Sequence, residues 1–147
     1  MNKARHVYVT YIAVQPEKVW DALIDGEMTK QYWGHRNASD WKAGSHWEHQ
    51  RSDGSNTVDI AGTVIETSRP RRLVITWTSP KEAGNPEKLS RVTFDLEPHT
   101  GGNTKLTVTH DELESGSEME RGITRGWPIV LSNLKSFLES GKTMPLR

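Results

Sequence analysis

The sequence predicts an α+β fold in which a strongly curved antiparallel sheet is covered by one long C-terminal helix. Three observations carry this reading. After about residue 45 the apolar residues alternate, with turn signals between the runs, as consecutive hairpins do. From about Ser117 the period becomes helical and stays so to the end. At 147 residues the chain has the size of one ordinary domain, and no repeat, low-complexity tract or composition break divides it, so residues 1–147 read as a single domain.

The elements follow in order. Residues 5–14, rich in Val, Tyr, Ile and Thr, read as a strand. In "QPEKVWDALID", Pro16 suits the first helical position and Glu17 favours the positive helix start. Val19, Trp20, Leu23 and Ile24 then form an apolar face that ends at Gly26. "EMTKQYW" reads as a second short helix ending near Trp33. "SHWEHQ" is a strand, "SDG" a hairpin turn, and "TVDIAGTVIETS" the next strand, with Gly62 a bulge or a point of close approach. "LVITWTS" follows the turn "RPRR", and "SRVTFDLEP" and "TKLTVTHDEL" form a further hairpin around "HTGGN". In "GWPIVLSNLKSFLESG" one helical face carries Trp127, Val130, Leu131, Leu134, Phe137 and Leu138. Pro128, lacking an N–H, predicts a kink or a restart at Trp127.

Alternation along the strands sorts the side chains between two faces. Leu73, Ile75 and Trp77 share one face, as do Val92, Phe94 and Leu96, and Leu106, Val108 and His110. Trp47 goes with His49, while His46 goes with Glu48. Three strands therefore offer an apolar inner face to the helix, with His49 and His110 among the inward residues. An imidazole there must be hydrogen-bonded or reach water. Either each is a satisfied core histidine, or both belong to a partly polar cavity. Asp111 and Glu112 follow His110 and fall near the mouth of such a cavity.

Composition narrows the function classes. Lysine plus arginine equal aspartate plus glutamate at 19 each, which argues against nucleic acid or an anionic membrane as partner. The local cluster Arg69, Arg71 and Arg72 reads as a solvated turn. No cysteine is present, so disulfides, thiolate metal sites and a cysteine nucleophile are excluded. The N-terminus lacks the apolar stretch of a secretory signal and no segment has the length of a membrane span, so a cytoplasmic protein is expected. "HWEH" places His46 and His49 on opposite faces of a strand, which predicts no shared metal ion. Neither a phosphate loop nor a nucleophile elbow occurs, and no cofactor is expected. The marked feature is tryptophan: six, against two phenylalanines, enough to line a pocket or thicken a core.

Four stretches in order, "QPEKVWDALID" with "QYWG", "IAGTVIETSRPRRLVITW", "VTFDLEPHTGGNTKLTVTHDEL" and "GWPIVLSNLKSFLE", resemble the START-like, helix-grip superfamily often called SRPBCC. This superfamily includes birch-pollen-allergen-like proteins, polyketide cyclases and lipid-transfer domains. Within it, the chain is most similar to the family named after the activator of the heat-shock-protein-90 ATPase. The resemblance spans nearly the whole chain. It implies a seven-stranded antiparallel sheet gripping the C-terminal helix, two small helices closing one end, and an apolar pocket between helix and sheet. Members of the superfamily bind sterols, lipids, polyphenols or polyketides there. Members that activate the chaperone ATPase carry a further large N-terminal domain without counterpart in these residues, which ranks that activity last.

The leading expectation is binding of a small hydrophobic molecule, lipid-like or aromatic. Trp47, Trp77, Phe94, Trp127 and Leu131 supply the walls, His49 and His110 orient a polar group, and Trp33 stands at the mouth. The second expectation is a cyclase- or hydrolase-type enzyme with His49 and His110 as acid–base groups. The third is a protein partner, either a chaperone or a regulator.

Overall fold

The computed structural model describes residues 2–145. Its elements run β1 (Lys3–Ile12), α1 (Pro16–Ile24), α2 (Gly26–Trp33), β2 (His35–Ala38), β3 (His46–Arg51), β4 (Val58–Ser68), β5 (Arg72–Trp77), β6 (Ser90–His99), β7 (Asn103–Glu114) and α3 (Glu118–Ser140). The seven strands form one antiparallel sheet in the order β1-β7-β6-β5-β4-β3-β2. Every neighbouring pair except β1–β7 is consecutive in sequence, so the sheet is a run of hairpins closed by the first strand. The two small helices connect its two edge strands.

Strand faces divide as alternation requires. Leu73, Ile75 and Trp77, with Val92, Phe94, Leu96, Leu106, Val108 and His110, are buried toward α3. Val74 is buried as well but stands outside this core cluster, between Glu66 and Thr93 of the neighbouring strands. From α3 come Ile123, Trp127, Leu131 and Leu134, and from α1 and α2 come Val19, Trp20, Leu23 and Tyr32. Tyr32 buries its ring and donates its hydroxyl to the Ala22 carbonyl at 2.8 Å, locking α2 to α1. At Gly62 a Cβ would lie 2.0 Å from the Thr76 carbonyl oxygen, so the glycine marks a close approach of β4 to β5.

Two expectations are corrected. The strand β2, "HRNA", was not foreseen: four polar residues carry no alternation to read, and their pairing with β3 supplies the strand. Of the kink or restart expected at Trp127, the restart does not occur: α3 is one helix from Glu118 to Ser140 with Pro128 inside it. Pro128 and Thr124, whose carbonyl loses its helical donor, are both exposed, so the freed carbonyl is left on the solvent side of the helix. Trp127, Leu131 and Leu134 meanwhile hold both halves of the helix against the sheet.

Bulges decide which residues face inward. Between β3 and β4, His49 pairs with Ile60 and Gln50 with Val58, leaving Asp59 as the extra residue. Between β1 and β7 the register slips around Asp111 and Glu112, and Glu112 has φ of 58°. That slip changes the phase, so Leu113 rather than Glu112 turns into the core. Asp111 pairs with Arg91 at 3.3 Å, away from the cavity mouth expected for it.

Candidate functional site

A cavity of about 960 Å³ lies under the N-terminal half of α3, between the helix, the ends of β3–β5 and the segment that joins β5 to β6. Its apolar wall includes Trp33, Trp77, Trp127, Ile60, Leu113 and Ile123. The C-terminal half of α3 is closed by contrast, packed on α1 and α2 through contacts such as Phe137 on Tyr32. Gly122 and Gly126 face the cavity one turn apart on α3. Neither has a positive φ, and a Cβ at either would meet nothing within 4 Å. These glycines are not demanded by the backbone; what they supply is room.

Of the residues expected at a site, Trp33, His49, Trp77 and Trp127 line the cavity. Trp47, Phe94, His110 and Leu131 are instead buried in the core and absent from the lining, the first three in ring contact with Trp77 or Trp127. Trp77 is the hub: its ring lies 5.6 Å from Trp47, His49 and Trp127, 5.4 Å from His110 and 6.3 Å from Trp33. Phe94 meets Trp127 edge-on at 5.9 Å. Offset and edge contacts of this kind pack the aromatic wall together.

Proton positions in the two inward histidines follow from their partners. Ser90 Oγ donates to the Trp77 carbonyl at 2.7 Å, so the same oxygen must accept from His110 Nε2 at 2.9 Å. His110 Nδ1 in turn accepts from the indole N–H of Trp127 at 3.0 Å. Both nitrogens of His110 are thereby committed, and the ring is neutral. Burial, with a smaller contribution from His6, lowers its pKa from 6.5 to about 3.

His49 is arranged differently. Its Nδ1 meets Asn37 Oδ1 at 2.5 Å, an oxygen that can only accept, so Nδ1 carries the proton. Asn37 is fixed by its backbone N–H, which donates to Thr29 Oγ1 at 2.9 Å. No donor among the described residues meets His49 Nε2, and the ring lines the cavity. Burial first, then the neighbouring His35, pushes the His49 pKa well below 6.5, against a weaker pull from Asp59.

The residues that sequence reading missed belong to this corner. His35 stacks on His49 with ring centroids 3.9 Å apart and planes within 4°. His35 Nε2 lies 2.8 Å from Asp59 Oδ2, and Arg51 Nε donates to both Asp59 oxygens at 2.9 and 3.1 Å. Chiefly through Arg51, the Asp59 carboxyl is held below the usual aspartate range. Both His35 and Asp59 line the cavity. One signal was available: "GHRN" directly after "QYW" places a histidine at a helix end, beside the wall that Trp33 begins. Without β2 it had no face to be assigned to.

The arrangement offers an aromatic wall, one open imidazole lone pair and a mouth of mixed charge. Lys88 and Glu114 pair across that mouth at 2.7 Å. Among the described residues no group of three or more His, Asp or Glu converges as a metal site would require. No helix in them is long and apolar enough to cross a membrane.

Comparison with known proteins fits this architecture. A family model described as activator of Hsp90 ATPase homolog 1-like protein matches residues 13–139. No curated protein matches the chain. Among solved structures, the chain is similar to protein MLL2253 from Mesorhizobium loti at 22% identity and a TM-score of 0.77, covering 95% of this chain and 99% of that one. The Aha1 dimer from Colwellia psychrerythraea is similar at 23% identity and a TM-score of 0.75, with 95% and 98% covered. ChR145 from Cytophaga hutchinsonii is 30% identical with a TM-score of 0.71, over 94% and 95% of the two chains. The shared fold is the helix-grip arrangement of a curved seven-stranded sheet around a long C-terminal helix.

Proposed function

This chain belongs to the activator of Hsp90 ATPase homolog 1-like family, and from that premise we propose that it binds a small, largely apolar and aromatic molecule in the cavity under α3. The observation that carries the reading is the cavity itself. About 960 Å³ is the volume of a ligand site, well beyond a packing defect. Two glycines widen it on the helix side, and three tryptophans face it.

The chemistry of the wall favours binding over catalysis. A general base needs an accessible lone pair and a pKa near the working pH. His110 has no open nitrogen, since Ser90 and Trp127 occupy both. His49 has one, but burial makes it a weak base, suited to accepting a hydrogen bond rather than removing a proton.

Titration of tryptophan fluorescence tests the proposal directly. Three of the six tryptophans line the cavity, so occupancy must alter a large part of the emission. A panel of fatty acids, sterols, flavonoids and polyketide-like aromatics is expected to give saturable quenching with the aromatic members. A flat response to every class would overturn the reading.

A further inference from the structure

We propose that the β3 side of the cavity is a hydroxyl-recognition subsite. In it His49 Nε2 accepts a hydrogen bond from a phenolic or enolic hydroxyl of an aromatic ligand, and the oxygen of that hydroxyl accepts the indole N–H of Trp77. The inference deepens the ligand-binding reading above and rests on it.

Three unmet groups meet at this corner, one of them His35 Nδ1, and the other two, of opposite kind, carry the argument. His49 presents an acceptor and nothing else, because Asn37 Oδ1 fixes its proton on Nδ1. Trp77 presents a donor and nothing else: the residue is buried, lines the cavity, and its Nε1 finds no acceptor among the described residues. Buried donors without acceptors are rare in native proteins, and one beside an open acceptor points to a missing partner. The two rings are direct neighbours, with centroids 5.6 Å apart. Nε1 is itself buried, so the indole turns as the ligand enters to bring its N–H to the hydroxyl oxygen.

Ligand chemistry follows by elimination. A hydroxyl is the small neutral group that donates and accepts at a single atom. A ketone or an ether only accepts and leaves His49 unmet. A carboxylate would set its charge against the His49 lone pair in a desolvated corner. Asp59, which also lines the cavity, has its charge taken up by Arg51 and hydrogen-bonds His35, in a chain of contacts of its own. That chain holds the His35 ring flat against His49 and so fixes the direction of the Nε2 lone pair. The rest of the ligand meets the rings of Trp33, Trp77 and Trp127, which suits a flat aromatic body.

Three matched triads test the subsite: 2-naphthol, 7-hydroxyflavone and estradiol, each beside its methyl ether and the analogue lacking that oxygen. In any triad that binds, the phenol is expected to bind at least tenfold more tightly than the ether or the deoxygenated analogue. His49→Phe keeps a flat ring against His35 and is expected to erase that difference while leaving the deoxygenated analogue within about twofold. Imidazole nitrogen NMR of the unaltered protein gives a second readout. His49 Nε2 should be unprotonated when free and shift on addition of the phenol. Equal affinities within a triad, or a proton on Nε2 in the free protein, overturn the subsite and leave the cavity reading standing. Binding by no member of any triad overturns both.

Discussion

With Ser90 donating to Trp77 and Trp127 donating to His110, the protons around His110 have a single arrangement, and it is the neutral one. Folding therefore holds this imidazole neutral at a pKa of about 3, while the unfolded chain takes up its proton near 6.5. Between those values the unfolded state binds more protons, so stability is full above pH 6.5 and falls as the pH drops toward 3. Down to pH 5 the unfolded carboxylates stay mostly ionised, and the histidines dominate. Over pH 7 to 5, His110 should account for a loss of about 2 kcal/mol, and His49 adds in the same direction. His110→Gln keeps an acceptor for Trp127 and a donor for Ser90 but cannot titrate. Urea unfolding at pH 7, 6 and 5 should show it losing about 2 kcal/mol less than the parent across that range. An unchanged slope would mean that His110 is not buried as the neutral ring.

Elements with a clear period were legible in the sequence, and those without one were not. The apolar runs of β5 and β6 and the helical face of α3 announced themselves because their side chains are sorted by burial. β2 did not, since "HRNA" is held by backbone pairing and by Thr29 rather than by apolar contacts. Losing β2 lost His35 and Asn37, and with them the corner that fixes His49. Asp59 was hidden for another reason: a bulge, invisible in composition, turns it toward His35. The glycines of α3 had a readable signal, because helix-interior glycine is unfavourable unless it serves something. Gly126→Ala should raise unfolding free energy by about 0.5–1 kcal/mol, as its Cβ meets no neighbour. Gly126→Leu should place a side chain in the cavity, keep the fold, and weaken aromatic ligands at least tenfold. If Gly126→Leu bound as the parent does, the ligand would not lie under α3.

At the scale of the whole molecule, the fold solves two problems with one helix. The C-terminal half of α3 closes the core against α1, α2 and the sheet, and the N-terminal half stands over the cavity. Stability and binding are thus divided along a single element, and filling the space should strengthen the whole. Ligand that binds only the folded state adds RT ln(1 + [L]/Kd), about 2.7 kcal/mol at a hundredfold excess over Kd. For a domain of this size that corresponds to a rise in Tm of roughly 5–10 °C. Thermal unfolding with a saturating aromatic ligand should show this rise, and hydrogen exchange should slow in α2, in β5 and in the first half of α3 together. The C-terminal half of α3 is already closed and should gain only the global increment. Protection confined to a surface segment, with no shift in Tm, would place the ligand outside the cavity.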